Sequence, residues 1–196
     1  MFLILSVNII IPGLFAIIIG NGFGLFVLIR QEMLTWEDVD RLIDDLIPQF
    51  DVEFDSMVII TCGGIVPGGL LAEALQLNTI FTAAVDFPAE NESSESQNNQ
   101  RFLSWPKFIE FPDERLLTGK RVLIVDDVWG SGRTITAVKN RIASAGGVPY
   151  SCVLHFNPSR NLFNSTRPNY YAASTDAFII YPWEAKRGKE RTARFG

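Results

Sequence analysis

The sequence predicts an α/β fold, a mainly parallel sheet flanked by helices, on three observations. Its strand-like segments are continuous apolar runs, Val58-Ile59-Ile60 and Val122-Leu123-Ile124-Val125, as expected of strands covered on both faces. Each run passes through a glycine-containing loop into a stretch of helical spacing. The two kinds of segment alternate, with strands expected near 57–62, 79–85, 121–126, 149–155 and 177–181 and helices at 67–76 and 133–145. In such sheets, ligands bind beyond the carboxyl ends of the strands.

The elements follow in order. Residues 1–29 carry no charge and are long enough, in Ile, Leu and Phe, to span a bilayer, although Pro12, Gly13, Gly20, Gly22 and Gly24 would interrupt a soluble helix. The stretch lacks the basic start and small-residue cleavage site of a secretory signal. Two readings stand for residues 1–30: an anchor holding the domain on the cytoplasmic side, the only route to membrane contact, or an upstream artefact of start-site choice before a chain that begins at Met33. The second is preferred, because a helix opens at once: Thr35 is placed as an N-cap, and Trp36, Val39, Leu42, Ile43, Leu46 and Ile47 share one face up to Pro48. After the first apolar strand, Cys62-Gly63-Gly64 forms a turn, and a helix is expected from Pro67, a residue favoured in a first helical turn. Residues 88–100 are polar and acidic without apolar period and read as a mobile loop. The domain is expected over 33–187, with a basic tail at 188–196 that includes Lys189, Arg191 and Arg194.

Composition bounds the function. At 196 residues and 47% hydrophobic, the chain suffices for one domain with a full core. A net charge of −5 gives no overall attraction to nucleic acid, so any anion site must be built locally. Cys62 and Cys152 have no zinc-like spacing and read as reduced thiols of a cytoplasmic protein; His155 has no partner cluster and reads as a packed histidine.

The chemistry concentrates at one place. The apolar run 122–125 meets two adjacent carboxylates, Asp126 and Asp127, and then the loop Gly130-Ser131-Gly132-Arg133-Thr134 at the start of a helical stretch. Free backbone N–H groups and the helix dipole favour an anion there, with the Ser131 and Thr134 hydroxyls as further donors. The two acids would repel that anion, so sugar hydroxyls or a bridging metal ion suit them better. A generic nucleotide loop is the plain alternative, but the segment has neither the G-x-G-x-x-G of dinucleotide folds nor the Lys-Ser/Thr ending of a P-loop.

This strand, acid pair and G-S-G-R-T loop resemble the ribose-phosphate signature of type I phosphoribosyltransferases, which move ribose 5-phosphate from phosphoribosyl pyrophosphate (PRPP) to a base. The resemblance implies that Asp126 and Asp127 are the catalytic acids, holding the ribose hydroxyls directly or with Mg²⁺, and that Gly130, Ser131, Gly132, Arg133 and Thr134 bind the 5-phosphate. Cys62, Gly63 and Gly64 match the pyrophosphate loop, with Cys62 where many members carry a basic residue, so the amides of Gly63 and Gly64 would hold the leaving group. The ending Phe178 to Tyr181-Pro182-Trp183-Glu184 is similar to the hood of archaeal and bacterial hypoxanthine/xanthine/guanine enzymes. That likeness implies stacking of a purine on Phe178, reading of its edge by the main chain near Ile179, and a contact from Asn157, which stands where 6-oxopurine enzymes usually place Lys. Gly130 falls where those enzymes often have a base-accepting Asp. The segments from Cys152 to Pro158 and from Asn169 to Glu184 are assigned to the hood, and the 88–100 loop matches the family's lid over PRPP, with a solvated insertion without a role as the equal alternative. Purine salvage by a cytoplasmic homodimer is the activity implied. A PRPP- or nucleotide-binding regulator without turnover is the alternative, raised by Gly130, Cys62 and Asn157 together, and transfer to a non-purine base is a third.

Overall fold

The computed structural model describes residues 14–17, 27–88, 105–163 and 165–185. The rest of the N-terminal apolar segment, the polar loop beyond Pro88 and the basic tail lie outside the described residues. The chain divides into two compact units, 42–175 and 1–41 with 176–196.

The larger unit is built on a six-stranded sheet. Its strands are β3 (Ser56–Ile60), β4 (Ile80–Asp86), β5 (Lys107–Glu110), β6 (Arg121–Trp129), β7 (Val148–Phe156) and β8 (Tyr170–Ser174), in the spatial order β5-β4-β3-β6-β7-β8. All neighbours are parallel except the edge pair β4–β5. Helices α2 (Ile65–Ala74) and α3 (Arg133–Ser144) connect the parallel strands and pack on β3, β6 and β7. The apolar runs behave as their composition requires: every residue of β3 and all of Val122–Val125 are buried. Ile135, Val138 and Ile142, spaced along one face of α3, join Val58, Ile60, Val122, Ile124 and Val153 in the core. Each such side chain contributes about 1.5–3 kcal/mol of burial.

Four local differences from the sequence expectation bear on the site. β6 does not stop at Asp126 but pairs with β7 out to Trp129↔Phe156, so both acids are strand residues. α2 begins at Ile65, and Pro67 sits inside its first turn, where its missing N–H would have had no helical partner. β5 and β8 were not expected from the sequence. β8 adds to the main sheet beside β7, so residues 152–156 and 170–174 belong there and not to the hood.

The smaller unit comprises β1 (Leu14–Ile17), β2 (Val27–Met33), β9 (Phe178–Ile180), the start of α1 (Trp36–Leu46) and α4 (Pro182–Ala185). β1 pairs with β2 antiparallel, and β2 with β9 parallel, Gln31↔Phe178, Glu32↔Ile179 and Met33↔Ile180. The strand β2 therefore runs across the boundary expected at Met33. Thr35 caps α1 as a reciprocal box: Asp38 N donates to Thr35 Oγ1 (3.2 Å) and Thr35 N to Asp38 Oδ2 (2.8 Å), a contact that holds the Asp38 carboxyl below its ordinary range. Along α1, Val39, Ile43 and Leu46 are buried, as their spacing predicts. The Tyr181 and Trp183 rings stack 4.4 Å apart, Trp36 lies against Trp183 at 5.9 Å, and Tyr181 N donates to Glu184 Oε2 (3.2 Å). Among the described residues no helix is long and apolar enough to cross a membrane.

Candidate active site

The acid pair sits near the carboxyl end of the central strand. Both carboxylates are half-buried and turned onto their own backbone: Asp127 N donates to Asp126 Oδ1 (3.0 Å) and Val128 N to Asp127 Oδ1 (2.7 Å). Burial of its carboxyl, and then the charge of Asp127 beside it, push Asp126 well above the ordinary carboxylate range. Two like charges this close call for a cation or for hydroxyl donors between them.

The turn after β3 meets these acids. A Cβ on Gly63 would lie 2.4 Å from Asp127 Oδ1 and 2.6 Å from Asp126 Oδ1, so glycine is the residue that lets the backbone rest against both carboxylates. Gly64 is needed for a different reason, since its Cβ would fall 2.3 Å from Val125 O on β6. The Gly64 N–H is spent on Ile60 O (3.0 Å), which leaves the Gly63 amide as the donor of the pair for an anion. Cys62 precedes them, exposed and at φ +77°, a left-handed conformation that costs a residue bearing a Cβ. No basic side chain occupies this turn.

The second loop leaves β6 and enters α3. Gly132, at φ +79°, is the residue before the helix, and Thr136 N closes the first turn on Gly132 O (2.9 Å). The N–H groups ahead of that bond have no helical acceptor and face the loop with the dipole behind them. Ser131 is exposed; its Oγ accepts weakly from Arg133 N (3.4 Å). The Arg133 guanidinium lies 4.1 Å over the Phe87 ring, at the end of β4, which places one cation beside an otherwise uncharged loop. A Cβ at Gly130 would meet nothing within 4 Å, so the open space there would take a larger side chain.

The structure brings Asp126, Asp127, Gly63 and the 130–134 loop onto one end of the sheet. Asn157, beyond β7, is 2% exposed, and its Oδ1 accepts from Ser159 Oγ (2.6 Å) and Arg160 N (3.2 Å). Its oxygen is thus committed to a turn, and only the amide nitrogen remains to donate. Phe178 and Ile179 belong to the other unit, on β9, with Phe178 half-buried and Ile179 buried. The hard oxygens of Asp126 and Asp127 suit Mg²⁺, and among the described residues no third His, Cys, Asp or Glu joins them, so the other ligands would come from substrate and water. Sequence reasoning passed over Trp129 and Asn161, which are joined by a hydrogen bond from the indole Nε1 to Asn161 Oδ1 (3.1 Å). The strand-end position of Trp129 was the one signal available for either.

Comparison with known proteins follows the same outline. The family model for the phosphoribosyl transferase domain matches residues 29–172. Xanthine-guanine phosphoribosyltransferase of Ruegeria sp. is 24% identical, over 77% of this chain and 84% of the relative. The crystal structure of purine phosphoribosyltransferase from Pyrococcus horikoshii is similar with a TM-score of 0.64 and 26% identity, covering 82% of this chain and 98% of that one. A Neisseria gonorrhoeae protein solved with bound ppGpp shares the fold, with a TM-score of 0.67 and 22% identity over 81% of this chain and 92% of its own.

Proposed function

Because the chain belongs to the phosphoribosyl transferase domain family, and is by that membership a phosphoribosyltransferase, we propose that it moves ribose 5-phosphate from PRPP to a purine base and releases pyrophosphate. The observation that carries this reading is the convergence of the Asp126–Asp127 pair, the Gly63 backbone and the loop at the start of α3. The relatives named as xanthine-guanine and purine enzymes support the purine.

In this reading the 5-phosphate sits on the amides and hydroxyls of Gly130–Thr134, with Arg133 supplying charge. Asp126 and Asp127 hold the ribose 2- and 3-hydroxyls, directly or through Mg²⁺. The Asp126 and Asp127 oxygens would hold Mg²⁺, which would supply charge neutralisation of the pyrophosphate leaving group. As pyrophosphate departs past the Gly63 amide, positive charge develops at the sugar, and the paired carboxylates stabilise it electrostatically. A purine nitrogen stacked against Phe178 attacks the C1 centre, while the main chain at Ile179 and the Asn157 amide nitrogen read the base edge. Nothing at Gly130 accepts the ring proton, so that proton leaves to water. The cytoplasm, where PRPP is made, is the expected site of action, and a homodimer the expected assembly.

The test is a mass-spectrometric assay with PRPP, Mg²⁺ and hypoxanthine, guanine, xanthine, adenine or uracil. Nucleotide from a purine is expected. PRPP binding without nucleotide from any base would favour the second reading, a PRPP-binding regulator, for which Gly130 and the committed Asn157 oxygen are the specific observations. Asp127→Asn should abolish turnover without unfolding the protein; full activity in that variant would refute the site.

A further inference from the structure

We infer that Trp129 and Asn161 form a clasp that holds the 130–134 loop in its phosphate-binding shape by fastening it to the 157–167 loop. The inference rests on the reading of 130–134 as the PRPP phosphate loop.

Trp129 ends β6 and is 1% exposed. Its indole Nε1 donates to Asn161 Oδ1 (3.1 Å), which also accepts from Phe163 N (3.2 Å). The Asn161 amide nitrogen donates to Phe163 O (3.1 Å) and Thr166 O (2.7 Å). One carboxamide therefore closes its own loop and grips the tryptophan. A second tie reaches the phosphate loop itself, from Leu162 N to Ser131 O (3.1 Å), and a third joins Asn157 N to Trp129 O (2.9 Å).

The indole also supports the loop directly. A Cβ on Gly132 would lie 2.4 Å from Nε1 and 2.7 Å from Cε2, so the left-handed glycine is seated against the ring. Gly130 and Gly132 give this loop more conformational freedom than any other residue types would, and ordering it costs entropy that phosphate binding must otherwise meet. A loop held in shape beforehand binds more tightly. The acids are held independently, by Asp127 N and Val128 N, so the clasp acts on PRPP affinity and not on the chemical step. Trp129 and Asn161 touch no substrate in this account; they are positioning residues. The 157–167 loop so fastened also lines a cleft of about 330 Å³, between Phe156, Pro158, Ser165, Thr166 and Arg167.

The test compares Trp129→Phe, which keeps a ring and removes the N–H, with Asn161→Ala and the double variant. Each single variant should raise the KM for PRPP, and its calorimetric Kd with Mg²⁺, about tenfold, leaving kcat within about twofold; removal of uniform binding gives this split. The double variant should lose less than the two single losses combined, since the two share one bond while the seat of Gly132 on the indole is lost only with Trp129. Without ligand, hydrogen exchange should quicken together at Thr136, whose N–H is held by Gly132 O, and at Asn157 and Leu162, whose N–H groups are held by Trp129 O and Ser131 O. A lower kcat at unchanged KM, additive losses, or faster exchange confined to one loop would overturn the clasp. Should Trp129→Phe fail to fold, Asn161→Ala breaks the same bond from its half-buried end. If the unaltered protein binds no PRPP, the reading of the phosphate loop falls, and the exchange measurement still decides whether the two loops are joined.

Discussion

At the scale of single residues, Gly130 is the most informative position. The family resemblance sets Gly130 where 6-oxopurine enzymes often carry an Asp, and the space that a Cβ would enter is open, so sterics do not explain the glycine. Gly130→Asp should therefore fold with an unchanged melting temperature and, if the acceptor is a 6-oxopurine, raise kcat on it by roughly a hundredfold, the low end of general-base catalysis. Steady-state kinetics with hypoxanthine and guanine check this; a folded variant with unchanged kcat on both would show that proton acceptance is not limiting. Asp126 makes a second case, with a pH signature. Its folded-state pKa lies well above the unfolded value of about 3.9, owing to burial and to Asp127. The stability from that shift is present below the unfolded pKa and lost as pH rises through the folded one, so raising the pH across that window weakens the fold. Asp126→Asn keeps an oxygen for Asp127 N and removes the charge. It should melt higher than the unaltered protein at pH 7, with the gap closing toward pH 4, while turnover falls about a hundredfold. Melting curves across that range decide it, and a lower melting temperature at pH 7 would refute the electrostatic account.

At the scale of elements, the two strand–loop–helix segments have different tolerances that can be measured side by side. Gly63→Ala drives a methyl into both carboxylates and should cut turnover about a hundredfold by displacing them. Gly69→Ala adds a methyl to an exposed position of α2 with nothing within 4 Å, and should stabilise the protein by about 0.5–1 kcal/mol at unchanged activity. Equal losses in both variants would mean that the glycine contact with the acids has no role. These segments were legible in the sequence because an apolar run, a glycine turn and a helical period follow one another without interruption. The extension of β6 through Asp126 and Asp127 was not, since charged residues are poor strand formers. They stay in the strand because their backbone continues the ladder to β7, Asp126↔Val153 and beyond. β5 and β8 escaped notice as short edge strands, Lys107-Phe108-Ile109-Glu110 and Tyr170-Tyr171-Ala172-Ala173-Ser174, without the continuous apolar run that marked the buried strands.

At the scale of the whole molecule, the legible half of the site is the half encoded in consecutive residues. Asp126 through Thr134 could be read directly, whereas the approach of Gly63 to those acids and the Trp129–Asn161 bond, 32 residues apart in sequence, exist only in the fold. The candidate base-binding strand depends on long-range pairing as well: β9 has three residues, and its sheet neighbour among the described residues is β2. A strand this short has little stability of its own. A chain beginning at Met33 would lack Gln31 and Glu32, the partners of Phe178 and Ile179, and the Arg30–Asp176 ion pair (3.0 Å) next to them. The candidate PRPP elements, 61–64 and 126–134, lie wholly in the unit formed by residues 42–175. Truncation should therefore separate the two substrates. Compared with a chain beginning at Val27, the Met33 form should keep its calorimetric affinity for Mg²⁺–PRPP while its KM for the purine rises about tenfold or more, the effect of leaving Phe178 and Ile179 without a fixed strand. Equal purine KM in the two forms would show that β2 does not position the base side, and parallel loss of PRPP binding would show that the smaller unit supports the phosphate loop too.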